Sequence, residues 1–140
     1  MTGWRAVLWS RSSVIPDLAA TAEPGEAEST SEVVVVEHGT ELRLSACGGS
    51  AHDALVRTCR YVEQHLPRLW HFHLRRVGIA NADETHTFIT LPELARLLQT
   101  SEARAQGMTG WIGFPPVVAR VGERSLWDEA AVRRGAHKFI

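Results

Sequence analysis

The stretch that decides the fold runs from residue 90 to residue 132, TLPELARLLQTSEARAQGMTGWIGFPPVVARVGERSLWDEAAV. It opens on Thr90, a hydroxyl N-cap, followed by Leu91-Pro92-Glu93. Proline in the first turn loses only a donor that has no helical partner there, and the acidic third position suits a capping box. Leu91, Leu94, Ala95 and Leu98 fall on one apolar stripe, so a helix is expected here. Gln99-Thr100 separates it from Ser101, a good cap for a second short helix, and two helices joined this closely must meet at a sharp angle. In that second helix Ala105 and Met108 point inward with Ser101, which leaves Ala103, Gln106 and Gly107 outward, flanked by Glu102 and Arg104. Gly110 and Gly113 end the helix, and Phe114-Pro115-Pro116 prohibits its continuation. Residues 117–121 and 124–127 around Gly122-Glu123 read as a hairpin, and Asp128 caps a last helix with Arg133 and Arg134 near its C-terminal end.

Upstream, residues 81–84 are polar and turn-like and mark a boundary with a first unit. That unit begins at Glu32: Val33 to Glu37 form one strand, the His38-Gly39-Thr40 turn follows, and Leu42, Leu44 and Ala46 alternate with Arg43 and Ser45 in a second. Gly48-Gly49 breaks the strand, and Ser50 with Asp53 caps a helix to about Leu66 whose buried face is Ala51, Ala54, Leu55, Thr58, Cys59, Val62 and Leu66. Beyond Pro67, Trp70, Phe72 and Leu74 alternate with His71, His73 and Arg75, the pattern of a strand with one wet face. Residues 21–31 (TAEPGEAESTS) have no apolar periodicity and read as a linker. Residues 1–20, with Trp4 and Trp9, read as an extension ahead of the folded part rather than as a docking segment.

The fold class expected is therefore α+β: residues 1–31 a flexible extension and linker, residues 32–84 a small β-β-α-β unit, and residues 85–140 a helix-turn-helix with a β-hairpin wing. At 140 residues and 44% hydrophobic, the chain suits one ordinary domain or two small ones sharing a surface. No apolar run approaches the roughly 20 residues needed to cross a bilayer, so no membrane role is expected. Two cysteines in no disulfide or CxxC pattern fit a reducing, cytoplasmic setting. The net charge of −1 divides into +2 from residue 85 onward and −3 before it, an asymmetry that permits phosphate contact without demanding it.

Sharper chemistry has little support in these residues. His71 and His73, with His65 nearby, show no third and fourth ligand at suitable spacing, since Cys59 points into the core, so a wet strand face is preferred to a metal site. His71, His73, Arg75 and Arg76 together offer a surface for nucleic acid or protein. No nucleophile and base or paired carboxylates suggest catalysis, so neither an enzyme nor a cofactor is expected. SACGGS at residues 45–50 lacks the lysine and spacing of a phosphate-binding loop and reads as a tight turn. Trp111, Phe114 and Trp127 read as core.

With those residues in place, the run 90–132 resembles the MerR/excisionase-type winged helix-turn-helix in its actinobacterial form, whose pattern is LxExAxxLxxSxxxxxxL, then FPxPVA, then a wing ending in a basic residue and Trp. Leu91 and Ala95 match the first-helix core, Ser101 the cap, Met108 the usual Leu, Phe114-Pro115 the turn and Trp127 the wing-end aromatic. Residues 32–79 are similar, more weakly, to the small α/β domain that precedes such modules. The resemblance implies sequence-specific DNA binding by a transcriptional regulator or an excisionase-like accessory factor. The second helix would enter the major groove, with Ser101, Ala103, Arg104 and Gln106 on it, while Arg120 and Arg124 on the wing meet phosphates. It also implies a homodimer or a protein partner through the N-terminal unit. Glu102 departs from the pattern, since the family often carries a donor there and a carboxylate is repelled by phosphate. A second reading therefore keeps the fold as a protein-interaction module.

Overall fold

Alternation of large apolar residues places the first strand in the middle of the molecule. In β1 (Thr2–Ser10), Trp4, Ala6, Leu8 and Ser10 are buried, whereas Gly3, Arg5, Val7 and Trp9 face the other way. The structure, a computed structural model, describes residues 2–11, 28–36, 39–66 and 68–135. Strand β1 pairs antiparallel with β3 (Gly39–Gly48) on one side and β4 (Leu74–Ala80) on the other, with Trp4 opposite Ala46 and Arg5 opposite Ala80. The extension expected over residues 1–31 is thus corrected for residues 2–10, and again for residues 28–31, which lie in β2 (Glu28–Val36). Period-two burial was present in the sequence, but Val7 and Trp9 on the outward face blurred it. Residues 12–27 of the expected linker lie outside the described residues, as do residue 37 of the expected strand and residue 38 of the expected turn.

Among the described residues seven strands form one antiparallel sheet in the order β2-β3-β1-β4-β5-β7-β6, with β5 (Thr85–Ile89), β6 (Ala119–Val121) and β7 (Arg124–Asp128) completing it. Helix α1 (Ala51–His65) lies across one face. Its start follows the expected chemistry: the Ser50 hydroxyl accepts from the Asp53 amide at 3.1 Å, and the Gly49 amide donates to Asp53 at 3.1 Å. The tight turn expected over residues 45–50 is corrected: residues 45–48 belong to β3, where the Gly48 carbonyl accepts from Trp4 Nε1, and only residues 49 and 50 bend between the strand and α1. Ala54, Leu55, Cys59 and Val62 of α1 meet Ala6, Leu8, Leu42, Leu44, Val77 and Ile79 of the sheet in the larger of two apolar clusters. Gly39 is required where β3 begins, because a Cβ there would run into the Ser10 carbonyl oxygen.

Between α1 and β4 the expected strand is overturned. Arg68–His73 is a short helix, α2, and burial is the reverse of the prediction: His71 is buried and Phe72 is 63% exposed. A helical turn advances the chain only about 1.5 Å per residue, against about 3.3 Å in a strand, which lets it make the corner from α1 back into the sheet. His71 Nε2 lies 2.7 Å from the Val62 carbonyl. A carbonyl only accepts, so Nε2 carries the proton. The expected boundary at residues 81–84 is a hairpin turn within the sheet: Asn81 Oδ1 accepts from the amides of Asp83 and Glu84, both at 2.8 Å, and β4 pairs directly with β5.

Helices α3 (Leu91–Leu97) and α4 (Glu102–Met108) fall where the sequence puts them, and with α5 (Glu129–Gly135) they close a second cluster of Ile89, Leu94, Ala95, Leu98, Ala105, Met108, Phe114, Trp127 and Val132. Thr90 occupies the N-cap position of α3 but caps nothing with its side chain. Its hydroxyl donates instead to the carbonyls of Arg75 at 2.8 Å and Leu74 at 3.2 Å, which ties α3 to β4. Glu93 forms no capping box either, since its carboxylate pairs with Arg76 and Arg96. The α3–α4 turn is a Schellman closure, with the Thr100 amide bonded to the Ala95 carbonyl and the Gln99 amide to that of Arg96. Gln99 sits at φ 55°, a conformation glycine adopts without penalty. Gln99→Gly is expected to raise unfolding stability by about 0.5–1 kcal/mol, the residual of a larger left-handed strain after the entropy of glycine is subtracted. Urea unfolding measures it, and a loss of stability would refute the strain.

Candidate nucleic-acid interface

Helix α4 is presented by its own burial pattern. Ala105 and Met108 lock into the second cluster, and the Ser101 hydroxyl accepts from the Arg104 amide at 3.2 Å to set the first turn. What remains outward is Glu102, Ala103, Arg104, Gln106 and Gly107, all exposed. Ser101 was expected inward with Ala105; it is exposed, because a cap residue stands before the first helical turn rather than on its inner stripe. Four of the six residues singled out from the sequence, Ser101, Ala103, Arg104 and Gln106, are therefore gathered on one solvent-facing surface.

The β6–β7 hairpin is anchored along its length. Val121 and Leu126 are fully buried, and they belong to the cluster under α1 rather than to the one under α4. At the tip, the Gly122 amide donates to Glu63 on α1 at 2.8 Å, with Gly122 at φ 59°. Arg120 is exposed on β6 and free to reach outward. Arg124 is held inward: its Nε and Nη2 donate to the Phe72 carbonyl at 2.9 and 2.5 Å, and its guanidinium lies 4.6 Å from the centre of the Phe72 ring. Two bonds and a stacked face make Arg124 a clamp between the hairpin and α2. An Arg124→Ala change would loosen the hairpin and would not report a phosphate contact.

Phe114 and Trp127 are core, as expected, whereas Trp111 is 45% exposed and Ile112 is fully exposed on the turn after α4. A close-packed pocket would have buried both, and nothing in their spacing distinguishes them from core residues. Sequence reading also missed the outward face of the sheet, where Val7, Trp9, Arg76, Thr87, Glu93 and Arg96 line a depression of about 470 Å³. A second of about 600 Å³ adjoins it beside Arg5, Arg43 and Thr85. The expected chemistry of the cysteines and histidines can be placed as well. Cys59 is buried and burial, with the Glu63 charge, pushes its thiol up to about 12, so it is not a nucleophile at neutral pH. Among the described residues no group of three His, Cys, Asp or Glu side chains is placed to hold a metal ion. No helix among them is long and apolar enough to cross a membrane.

Comparison of the chain with models of known protein families, with curated proteins and with solved structures finds no match.

Proposed function

We propose that the chain binds duplex DNA with sequence preference, as a transcriptional regulator or an excisionase-like accessory factor, and that α3, α4 and the β6–β7 hairpin act as a winged helix-turn-helix. The observation that carries this reading is the outward face of α4, where Arg104 and Gln106 are exposed while Ala105 and Met108 fix the helix from behind. A helix of seven residues is about 10 Å long. With its side chains an α-helix is about 10–12 Å across, which fits a major groove about 12 Å wide. Gln106 has the amide geometry to read an adenine edge, and Arg104 and Arg120 supply phosphate contacts. So short a reader gives little specificity alone, and two copies on paired half-sites would supply the rest.

Selection from a random duplex library, at low and at physiological salt, tests the proposal. Gln106→Ala is expected to relax preference at one position by about 1–3 kcal/mol, while Arg104→Ala weakens binding to all sequences and lowers the salt slope by about 1. Absence of any preferred sequence in the unmodified chain would overturn it.

A second reading, a protein-interaction module, is favoured by the exposed Trp111-Ile112 pair and by the carboxylate of Glu102 at the start of α4. Under the DNA reading, Ile112→Ser leaves duplex affinity unchanged. Under this one it abolishes a stoichiometric complex that duplex DNA does not affect.

A further inference from the structure

The pairing of β1 with β4 slips by one residue at its end: Trp9 lies opposite Arg76 and Ser10 opposite Leu74, which leaves Arg75 as the extra residue on β4. Such a slip re-aims the side chain of the residue it leaves over, and it is a recurrent device beside functional sites. Here it turns Arg75 toward the α3–α4 turn. The Arg75 carbonyl is fixed by the amide and hydroxyl of Thr90 at 3.0 and 2.8 Å, so the backbone beneath the guanidinium is held from two directions. Its Nη1 is buried without a hydrogen-bond partner. A charged donor in that state is costly, and two more guanidiniums stand near it. Arg11 closes the end of β1, where its amide donates to the His73 carbonyl at 3.0 Å, and Arg124 is clamped on Phe72. Burial first, then Arg124 and Arg11, push the Arg75 pKa below the usual guanidinium value, against a smaller opposite pull from the Glu102 and Glu93 carboxylates.

Arg75 opens into a concavity of about 340 Å³ that Arg11, Arg96, Thr100, Ser101 and Glu102 also line. Glu93, on its wall, is already engaged by Arg76 and Arg96. Glu102 is exposed at the rim, where water and salt screen its charge. With Nη1 shielded, the other guanidinium N–H groups of Arg75 join Arg11 and the Thr100 and Ser101 hydroxyls as donors in one concavity, and the exposed Glu102 carboxylate opposes them at the rim. A tetrahedral oxyanion satisfies several of them at once, and guanidinium matches phosphate in a two-bond fork.

We propose that Arg75 and Arg11 bind one phosphate group in this concavity, beside the first turn of α4. The phosphate is either part of a DNA backbone or carried by a free phosphorylated small molecule. The DNA source rests on the function proposed above, whereas the phosphate site does not. If the source is DNA, the sheet holds the backbone while α4 meets the bases, and the contact comes from outside the helix pair and its hairpin.

The test uses the full chain, with inorganic phosphate as the probe against chloride at matched ionic strength. Phosphate is expected to raise the melting temperature of the unmodified protein. Arg75→Met, which removes an unpartnered buried charge, should fold with a higher melting temperature in chloride and lose the phosphate response. Arg75→Lys should keep part of the response, and Arg11→Ala should weaken phosphate affinity about 10-fold, or about 1.4 kcal/mol. In parallel, the slope of log duplex affinity against log salt is expected to fall by about 1 in Arg75→Met. A phosphate response that Arg75→Met loses, without duplex binding, supports the site, assigns it to a free ligand and sinks the DNA function alone, whereas a response that Arg75→Met keeps is the general stabilisation by phosphate and overturns the site. A reduced salt slope without a phosphate response supports the site with the DNA backbone as its source. No phosphate response together with an unchanged slope, or with no duplex binding at all, overturns the inference.

Discussion

Removing residues 1–11 is expected to leave a chain that does not fold, although those residues read in the sequence as an extension. Strand β1 is interior to the sheet, with β3 and β4 hydrogen-bonded to its two edges, so the deletion abolishes two ladders and takes Trp4, Ala6 and Leu8 from the larger cluster. A single substitution should show the same dependence. Leu8 is fully buried, and Leu8→Ala is expected to cost about 2–5 kcal/mol through lost burial and the cavity left behind. Val7 is its neighbour on the open face, and Val7→Ala should stay within about 0.5 kcal/mol. Circular dichroism of the truncated chain and urea unfolding of the two variants read both results. A folded truncated chain, or equal costs at the two positions, would return β1 to the status of an appendage.

That contrast shows what the sequence carried and what it did not. The elements from Leu91 onward were legible because each has a local cause: a cap at Ser101, an apolar stripe through Leu94, Ala95 and Leu98, and prolines after Phe114. Helix α1 was legible for the same reason, with Ser50 and Asp53 at its start. The place of β1 is set by pairing with segments about 40 and 75 residues away, which no local pattern encodes. The α2 error has another origin. Trp70, Phe72 and Leu74 do alternate, but the corner after α1 and the carbonyl awaiting His71 decide the backbone there, and both are tertiary.

The candidate site divides along the same line. Ala103, Arg104 and Gln106 could be placed together because helical spacing alone puts them on the outer side of α4, whereas Ser101, expected inward, joins them only because it stands as the cap before the first turn. Arg124 could not be told from Arg120, since both stand on a hairpin near its tip; only the position of α2 turns one of them into a clamp. Arg75 and Arg11 are far apart in the chain and meet through the slip in the β1–β4 ladder, so their juxtaposition has no linear signature. One residue of offset in a strand pair re-aims a side chain, and sequence reading does not resolve offsets of one residue.

The same interlocking gives the second large effect: a cut between residues 84 and 85 is expected to leave both halves unfolded, and the intact chain to unfold in one transition. Residues 85–140 have nine buried residues in a cluster of their own, the material of a small independent module. They also carry Val121 and Leu126, which are fully buried only against the cluster under α1, and β5, which bridges β4 and β7. Separated, the second half exposes both side chains and loses the strand that pairs with β5, while the first half loses Phe88, Val121 and Leu126 and leaves β4 as a bare edge. Trp4 lies in one cluster and Trp127 in the other, so chains retaining a single tryptophan at either position report the two cores separately. Coincident urea midpoints are expected, and Leu126→Ala should shift both by the same amount. A fragment of residues 85–140 that unfolds cooperatively at the midpoint of the intact chain would show the two cores to be independent.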